Sequence, residues 1–262
     1  MSEFKDKVAL ITGAKRGIGF ETAMRFAKEG IHVVMSGRGQ EEISEAFEKV
    51  KANYPENKGF AFNCDVTKPS QVEDMINETV KRLGKIDILV NNAAIIHERF
   101  NVVDMPERIM QEIYDTNVFG VFYCSKYVGR QMIKQRSGNI INITSWYGKV
   151  GQAMFAPYCS TKAALNNFTQ SMALEMAPYG VTVNAVAPGW VETEMHWGAL
   201  QNEAEQNGIT FEEIEEMTRN LIPIKKRCTG DDIAAACLYL ASKNGQVVTG
   251  QAINVNGGLC FN

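Results

Sequence analysis

Tyr158 and Lys162 carry a phenol and an amine four residues apart, a spacing that places both side chains on one face of a helix. A free phenol has a pKa of about 10, so proton transfer at neutral pH needs a shift of about 3 units, or about 4 kcal/mol in favour of the phenolate. A neighbouring ammonium group supplies part of that shift. The pair therefore predicts an acid–base centre.

The same spacing occurs at Tyr54 with Lys58 and at Tyr239 with Lys243, so spacing alone does not identify a site. Tyr54 stands before a proline in a polar run that is typical of a turn. Tyr239 belongs to an apolar helical pattern, which predicts a ring packed in the core. Neither pair follows a reactive side chain.

Ser145 distinguishes the first pair from the other two. It closes the apolar run 139–144, which has the composition of a buried strand. In open α/β sheets ligands bind at the carboxyl edge of the strands, where a strand-end serine can meet a helix-borne tyrosine and lysine. We therefore treat Ser145, Tyr158 and Lys162 as one candidate site.

The composition, with 45% hydrophobic and 22% charged residues, predicts a single domain over residues 1–262. A net charge of −3 offers no basic surface for nucleic acid, and no apolar run is long enough to cross a membrane. We expect a cytoplasmic protein, because the start of the chain lacks the pattern of a secretory signal. The cysteines form no CxxC, the histidines no HExxH, and Ser145 no GxSxG, so we expect buried thiols, no metal site and no hydrolase chemistry.

Strand-like runs alternate with helix-period segments along almost the whole chain. The strands are predicted at 8–12, 33–36, 60–64, 88–91, 140–144, 181–187 and 252–255, and the helices at 18–28, 41–52, 71–83, 107–135, 163–177 and 231–242. This alternation predicts a Rossmann fold, an α/β architecture with a doubly wound, seven-stranded parallel sheet and helices on both faces. We expect the irregular stretch 189–227 to form a lid over the substrate.

A glycine-rich turn, which runs from Thr12 to Gly19, follows the first strand and opens the first helix. A dinucleotide's pyrophosphate meets backbone N–H groups and the helix dipole at this place, and glycine permits the close approach. The spacing matches neither GxGxxG nor a P-loop, which disfavours nucleotide triphosphate hydrolysis.

The end of the second strand indicates which dinucleotide is bound. NAD enzymes place a carboxylate there for the ribose 2′-hydroxyl, whereas this chain has Gly37 followed by Arg38. Arg38 and Arg16 are suited to bracket a 2′-phosphate. The sequence therefore favours NADP(H) over NAD(H).

In its motifs the chain resembles the classical short-chain dehydrogenase/reductase (SDR) family over essentially its full length. The family elements TGxxxGxG, NNAG, Asn, Ser, YxxxK and PG appear here in order, with Ala94 in place of the usual last glycine of NNAG. The matching positions are Thr12, Gly13, Gly17 and Gly19, then Asn91, Asn92, Ala93 and Ala94, then Asn117, Ser145, Tyr158 and Lys162, and finally Pro188, Gly189 and Thr193.

The resemblance implies hydride transfer between a nicotinamide C4 and a carbonyl or alcohol carbon, with Tyr158 as general acid or base. Ser145 is expected to bond the substrate oxygen, Lys162 the nicotinamide ribose, and Asn117 a water that links Lys162 to solvent. Asp65 is expected to meet the adenine amino group. The full set of expected cofactor contacts is Gly13, Lys15, Arg16, Gly17, Ile18, Gly19, Arg38, Asp65, Val66, Asn92, Ala93, Tyr158, Lys162, Pro188, Gly189, Val191 and Thr193.

The presumed substrate pocket is rich in aromatic residues and includes all three tryptophans, which favours a bulky apolar ketone, cyclic or steroid-like. Packing of the lid onto the domain accounts for the same residues equally well. The acidic run from Glu203 to Glu216 is expected to form a solvated helix face. The candidate substrate contacts are Ser145, Trp146, Phe155, Trp190, His196 and Trp197.

Three alternatives stay open. A 3-oxoacyl carrier-protein reductase resembles the chain at Arg130, but tends to carry a docking arginine where this chain has Leu174. A sugar or polyol dehydrogenase shares the fold, which does not fix the substrate. A noncatalytic dinucleotide-binding regulator needs only the glycine loop, whereas the complete Asn, Ser, Tyr and Lys set is present. The resemblance also implies a homotetramer built through the helices around 107–135 and 158–177.

Overall fold

A computed structural model describes residues 2–261, and its centre is one sheet of seven parallel strands in the order β3-β2-β1-β4-β5-β6-β7. The strands are β1 (Val8–Thr12), β2 (His32–Gly37), β3 (Phe60–Asn63), β4 (Ile88–Asn91), β5 (Gly138–Ile143), β6 (Val181–Pro188) and β7 (Ala252–Val255). The predicted seven-stranded parallel sheet is confirmed. Strand order reverses between β1 and β4, which places a ligand crevice beyond their carboxyl ends.

Nine α-helices within the described residues cover and extend this sheet. They are α1 (Gly17–Lys28), α2 (Gln40–Asn53), α3 (Pro69–Leu83), α4 (Glu107–Tyr114), α5 (Gly120–Gln135), α6 (Ala156–Met176), α7 (Glu194–Asn207), α8 (Phe211–Leu221) and α9 (Gly230–Ala241). Helices α1, α2 and α9 pack on one face, and α3, α5 and α6 on the other. Within β1, Ile11 belongs to the first core and Leu10 to the second. Burial on both faces explains why the strands are continuous apolar runs.

Helices α7 and α8 lie in the stretch 189–227 that the sequence predicts as a lid. Buried Leu200, Ala204 and Ile214 form a small core between the two helices, separate from both faces of the sheet. Trp197 and Phe211 pack against this core. Thr210 and Glu213 start α8 with a reciprocal capping box. The pair of helices is therefore a preformed unit, and its movement as a lid stays a prediction.

Several local expectations need correction. The helix predicted over 107–135 is interrupted by a π-helical turn at Asp115–Phe119, and the helix predicted from 163 begins at Ala156. Tyr239 is 46% exposed rather than packed in the core, because its position on α9 faces outward. The acidic run is not wholly solvated, since Glu203 pairs with Arg99 at 2.6 Å and Glu215 approaches Arg227 at 3.5 Å.

All six cysteines are buried free thiols, as expected. Across residues 2–261 no helix is long and apolar enough to cross a bilayer.

Candidate active site

The glycine-rich turn after β1 is held against the end of β4. A Cβ added to Gly13 would lie 2.7 Å from the Cα of Ala93, and one on Gly19 would lie 2.5 Å from Asn92 Nδ2. Asn92 Nδ2 donates to the carbonyls of Thr12 at 2.9 Å and Gly13 at 3.0 Å. The two motifs that sequence analysis assigns to the cofactor are thus joined, and these contacts leave no room for a side chain at Gly13 or Gly19.

The N-terminus of α1 is suited to a phosphate. Gly17 has a φ of +58°, which favours glycine. The N-cap residue, Arg16, makes no side-chain hydrogen bond to the backbone N–H groups of the first turn of α1. That turn also contains no acidic residue. Backbone N–H groups and the positive end of the helix dipole therefore meet an anion without competition from these side chains.

The start of the lid lies directly beside this turn. A Cβ on Gly17 would be 3.4 Å from Thr193 Cγ2, and Arg16 pairs with Glu194 at 3.0 Å. The Thr193 hydroxyl accepts from the backbone N–H of His196 and caps α7. Sequence analysis assigns Arg16 to a ribose phosphate, whereas the structure pairs it with the first residue of α7.

At the end of β2, Gly37 is buried but its backbone does not require glycine. A Cβ there would meet Ile43 Cδ1 at 3.5 Å and Lys15 Cβ at 4.0 Å, which are ordinary contacts. Arg38 is exposed, and Lys15 Nζ donates to its carbonyl at 3.4 Å. Two cations, Lys15 and Arg38, therefore border the place where the adenosine ribose is expected, and the Glu42 carboxylate lies against Gly39, two residues after Gly37.

Asp65, expected at the adenine, also organises its own turn. One carboxylate oxygen accepts from the backbone N–H of Thr67 at 3.0 Å and from the Thr67 hydroxyl at 2.9 Å. The neighbouring Val66 is buried. Asp65 therefore stabilises its own turn, and its contact with adenine stays a prediction.

Ser145 lies buried at the carboxyl end of β5, where its hydroxyl accepts from the N–H of Tyr147 at 3.2 Å. It starts a short 3₁₀ helix, Trp146–Gly148, that packs on α6. A Cβ on Gly148 would lie 2.7 Å from the carbonyl carbon of Lys162, and Asn166 Nδ2 donates to the Gly148 carbonyl at 3.0 Å. This close approach brings the serine to the tyrosine helix.

Tyr158 and Lys162 lie on successive turns of α6, as the sequence predicts. Lys162 Nζ is 5.6 Å from the Tyr158 ring centroid and donates to the Ile143 carbonyl at 2.9 Å. Although Tyr158 is only partly buried, surrounding protein desolvates its phenol and raises its pKa to about 12, against a smaller lowering by a hydrogen bond with Ser145. Burial lowers the pKa of Lys162 to about 8. Desolvation therefore outweighs the lysine's expected effect on the phenol.

Asn117 lies in the π-helical turn between α4 and α5 and is fully buried. Its Oδ1 accepts from the N–H of Ile95 at 2.8 Å, and its Nδ2 donates to the Ile95 carbonyl at 3.0 Å. A weaker contact joins Nδ2 to the Thr161 hydroxyl at 3.4 Å. The side chain thus fastens the loop after β4 to the residue before Lys162, whereas the expected water relay stays a prediction.

The Pro188-Gly189 element ends β6 and leads into the lid. The N–H of Gly189 donates to Val255 at 2.9 Å, and a Cβ on Gly189 would lie 2.8 Å from the Cα of Asn256. Val191 then forms an isolated parallel bridge with Cys228. The expected cofactor residues Pro188, Gly189, Val191 and Thr193 therefore follow one another along the start of the lid.

The predicted substrate residues form one chain of aromatic rings beside Tyr158. Tyr147 lies edge-on to Tyr158 at 6.4 Å between ring centroids, and it stacks on Trp146 at 4.3 Å and Phe155 at 6.1 Å. Trp190, from the lid, meets Trp146 edge-on at 5.6 Å. His196 lies near Trp190 and Trp197, and burial lowers its pKa to about 4.

Sequence analysis missed Arg99, Gly148 and Asn166. The Arg99 guanidinium lies 5.4 Å from the Phe155 ring centroid and pairs with Glu203 of α7. No motif marks Arg99, because its loop is irregular and its partner is distant in sequence. Gly148 and Asn166 lie within a few residues of Ser145 and Lys162, but their contact depends on how tightly two elements pack.

Comparison with known proteins gives a consistent result. A family model described as short chain dehydrogenase matches residues 7–204. The 3-oxoacyl-(acyl-carrier-protein) reductase FabG of Staphylococcus epidermidis is 39% identical over 255 residues, which cover 97% of this chain and 99% of that protein. An actinorhodin polyketide ketoreductase solved with NADPH has a TM-score of 0.93 at 33% identity, covering 99% of both chains. An NAD⁺-bound xylitol dehydrogenase also has a TM-score of 0.93, at 29% identity, covering 98% of this chain and 100% of that one.

Proposed function

The chain belongs to the short-chain dehydrogenase/reductase family of oxidoreductases, and on that premise we propose that it is an NADP(H)-dependent enzyme that interconverts a ketone and a secondary alcohol. The observation that carries the proposal is the convergence of Ser145, Tyr158 and Lys162 next to a glycine-lined dinucleotide turn. The complete set argues against a noncatalytic dinucleotide-binding regulator, which has no use for a buried lysine beneath a tyrosine.

The bound nicotinamide supplies the hydride, and the protein supplies the proton and the positioning. Tyr158 is protonated at neutral pH and can donate to a carbonyl oxygen, but with its pKa raised to about 12 it is a weak acid unless the phenolate it leaves is stabilised. The Ser145 hydroxyl donates a second hydrogen bond to that oxygen as charge develops on it. The Lys162 ammonium then stabilises the phenolate left behind.

NADP(H) is supported by the residues at the ribose end. Arg38 is exposed beside Lys15, and the strand end Ser36-Gly37-Arg38 itself carries no carboxylate, although Glu42 lies against Gly39. Arg16 can reach such a phosphate if it leaves Glu194, since this pair is exposed and such pairs are weak. The chemistry of the donor set therefore fits the phosphorylated dinucleotide.

Replacing the acid tests the proposal directly. In Tyr158→Phe the ring and its packing remain but the proton is lost, so we expect kcat for ketone reduction to fall by about 10²–10⁴-fold. NADPH binding, followed by the cofactor's fluorescence, should be unchanged. The assay is NADPH oxidation over a panel of steroid, cyclic, acyl-thioester and sugar ketones.

Tyr239→Phe is the matched control, because Tyr239 and Lys243 repeat the same spacing away from the site. It should keep full turnover. Near-normal turnover by Tyr158→Phe, or no ketone turnover by the unaltered protein with either dinucleotide, would contradict the proposal.

A 3-oxoacyl carrier-protein reductase is the second candidate, and the 39% identity to FabG favours it. Leu174, which is 80% exposed, occupies the place of the docking arginine that the resemblance leads one to expect. The aromatic walls instead support a bulky ring-bearing ketone, steroid-like or otherwise cyclic. A sugar or polyol substrate, as in the name of the xylitol dehydrogenase, is a third possibility that the ketone panel includes.

We also propose a homotetramer in the cytoplasm. Exposed Phe119, Phe122 and Leu174 support it, because they lie on or beside α5 and α6, the helices through which assembly is expected.

A further inference from the structure

Two buried nitrogen atoms near the substrate pocket have no hydrogen-bond partner among residues 2–261. They are Nε2 of His97 and Nε of Arg99. Both side chains contact Phe155, with the His97 ring centroid 5.6 Å and the Arg99 guanidinium 5.4 Å from the Phe155 ring centroid. Leaving such groups unpaired is costly, so a structure that retains both against the same ring, Phe155, needs a reason.

The two atoms have opposite hydrogen-bonding character. His97 Nδ1 contacts the carbonyl of Glu98, and since a carbonyl only accepts, that nitrogen carries the proton. Nε2 is then a bare acceptor, whereas Nε of Arg99 is always a donor. A single group that satisfies both atoms must donate and accept at once. An alcohol hydroxyl does so, whereas a ketone, a thioester carbonyl or a carboxylate only accepts.

The charges around the two atoms also favour a neutral group. Arg99 is already paired with Glu203, 2.6 Å away on α7. A carboxylate or phosphate on the substrate would therefore approach Glu203 as a like charge without a free cation to offset it. The neighbouring His196 is neutral, since its pKa is lowered to about 4.

The chain of rings places this corner at the far end of the pocket from the acid. Tyr158 meets Tyr147, Tyr147 stacks on Phe155, and Phe155 lies against His97 and Arg99. We propose that His97 and Arg99 are specificity residues that bind a hydroxyl group of the substrate, remote from the carbon that is reduced. This inference deepens the proposed function and rests on it.

The Arg99–Glu203 pair joins the loop after β4 to the lid helix α7. We expect substrate entry past this pair to require α7 to move away from Arg99. When the pair reforms, the guanidinium is held in place and its Nε–H points to the hydroxyl. The ion pair with Glu203 thus positions the Arg99 Nε–H, and this N–H donates to the substrate hydroxyl.

The experiment compares ketones that differ only in one hydroxyl. Hydroxylated and deoxy forms of a bicyclic ketone and of a six-carbon ketose are assayed with NADPH, and kcat/KM is measured for each. We expect the unaltered protein to favour the hydroxylated form by about 100-fold or more, because the deoxy form leaves both atoms unpaired. Arg99→Lys keeps the ion pair but removes the Nε donor, and His97→Phe removes the acceptor. Each should reduce the preference to less than about tenfold.

Arg108→Lys is the matched control, because Arg108 also pairs with a glutamate, Glu112, but on an exposed face of α4. Its preference should equal that of the unaltered protein. Equal kcat/KM values for the two forms, or an unchanged preference in Arg99→Lys, would overturn the inference and leave the reductase proposal standing.

Binding gives a readout that does not need turnover. Trp146 and Trp190 lie in the chain of rings that leads from Tyr158, while Trp197 packs on the core of the lid, so tryptophan fluorescence is expected to report ligand binding. If no ketone is reduced, the proposed activity fails, and the fluorescence titration still decides the inference. Tighter binding of the hydroxylated ketone that Arg99→Lys abolishes supports it, and equal affinities for the two ketones refute it.

Discussion

At the scale of single residues, burial determines the pKa values of Tyr158 and Lys162 more than the attraction between the two side chains does. The lowered pKa of Lys162 means that the unfolded chain binds this proton more tightly than the folded protein does. Lys162 therefore destabilises the fold below pH of about 8, and this penalty is relieved as pH rises from about 8 towards the ordinary value of about 10.5. A buried cation with such a cost is characteristic of a functional site.

Cofactor choice is also decided at this scale, and Gly37 offers a test. In Gly37→Asp the new Cβ makes only ordinary contacts, and the carboxylate is expected to bond a ribose 2′-hydroxyl and repel a 2′-phosphate. We expect the ratio of kcat/KM for NADPH over NADH to exceed one in the unaltered protein and to fall by about 100-fold in the variant, a change of about 2.7 kcal/mol. Both dinucleotides are measured with one ketone.

Gly198→Asp adds the same charge on the exposed surface of α7, with no atom within 4 Å of the new Cβ. It should leave the ratio unchanged. A preference of the unaltered protein for NADH would show that Arg38 and Lys15 do not read a phosphate.

At the scale of elements, the sequence predicted where strands and helices occur but not how they approach one another. The strand ends at Thr12 and Ser145 were predictable, because buried parallel strands are continuous apolar runs bounded by small polar residues. The π-helical turn that holds Asn117 was not, since its extra residue is stabilised by hydrogen bonds to Ile95, which lies in a distant loop. Arg99 was not predicted as a site residue for the same reason, because its partner Glu203 belongs to the lid.

The contact between the Ser145 helix and α6 provides a test of element packing. In Gly148→Ala the added methyl would lie 2.7 Å from the backbone of Lys162, so the 3₁₀ helix must move away and carry Ser145 with it. We expect kcat to fall by about 10–100-fold, since a displacement of about 1 Å can cost about 100-fold. Single-turnover rates measure the effect, and NADPH affinity should not change.

Gly151→Ala is the matched substitution three residues later, where a new Cβ has no atom within 4 Å. Its turnover should be normal. If Gly148→Ala were equally active, Ser145 would not depend on this contact for its position.

At the scale of the whole molecule, the fold was predictable because its determinants are repeated along the chain. Six helical crossovers join the seven strands, and the five central strands are largely buried, so several parts of the chain indicate the same architecture independently. The lid lacks such repetition. Its helices α7 and α8 bury a core of their own. Their packing on the aromatic rings depends on individual side chains that follow no repeating sequence pattern, so it could not be predicted from the sequence.

Assembly is the property of the whole molecule that remains to be tested. Phe122 of α5 and Phe168 of α6 meet edge-on at 6.5 Å, and Leu174 lies further along α6 with 80% of its surface exposed. An exposed apolar face of this kind is typical of a subunit interface. We expect Leu174→Glu to weaken assembly, since a carboxylate at a buried interface is costly unless it is paired. Light scattering should then report a smaller species at concentrations where the unaltered protein is tetrameric.

Leu221→Glu is the matched control, because Leu221 is 66% exposed at the end of α8 on the lid, away from the α5 and α6 face. It should leave the mass unchanged. A monomeric unaltered protein would contradict the homotetramer, and a tetramer that tolerates glutamate at Leu174 would move the interface to another face. Because neither Ser145 nor Tyr158 lies on this exposed face, we expect dissociated Leu174→Glu protein to retain NADPH binding.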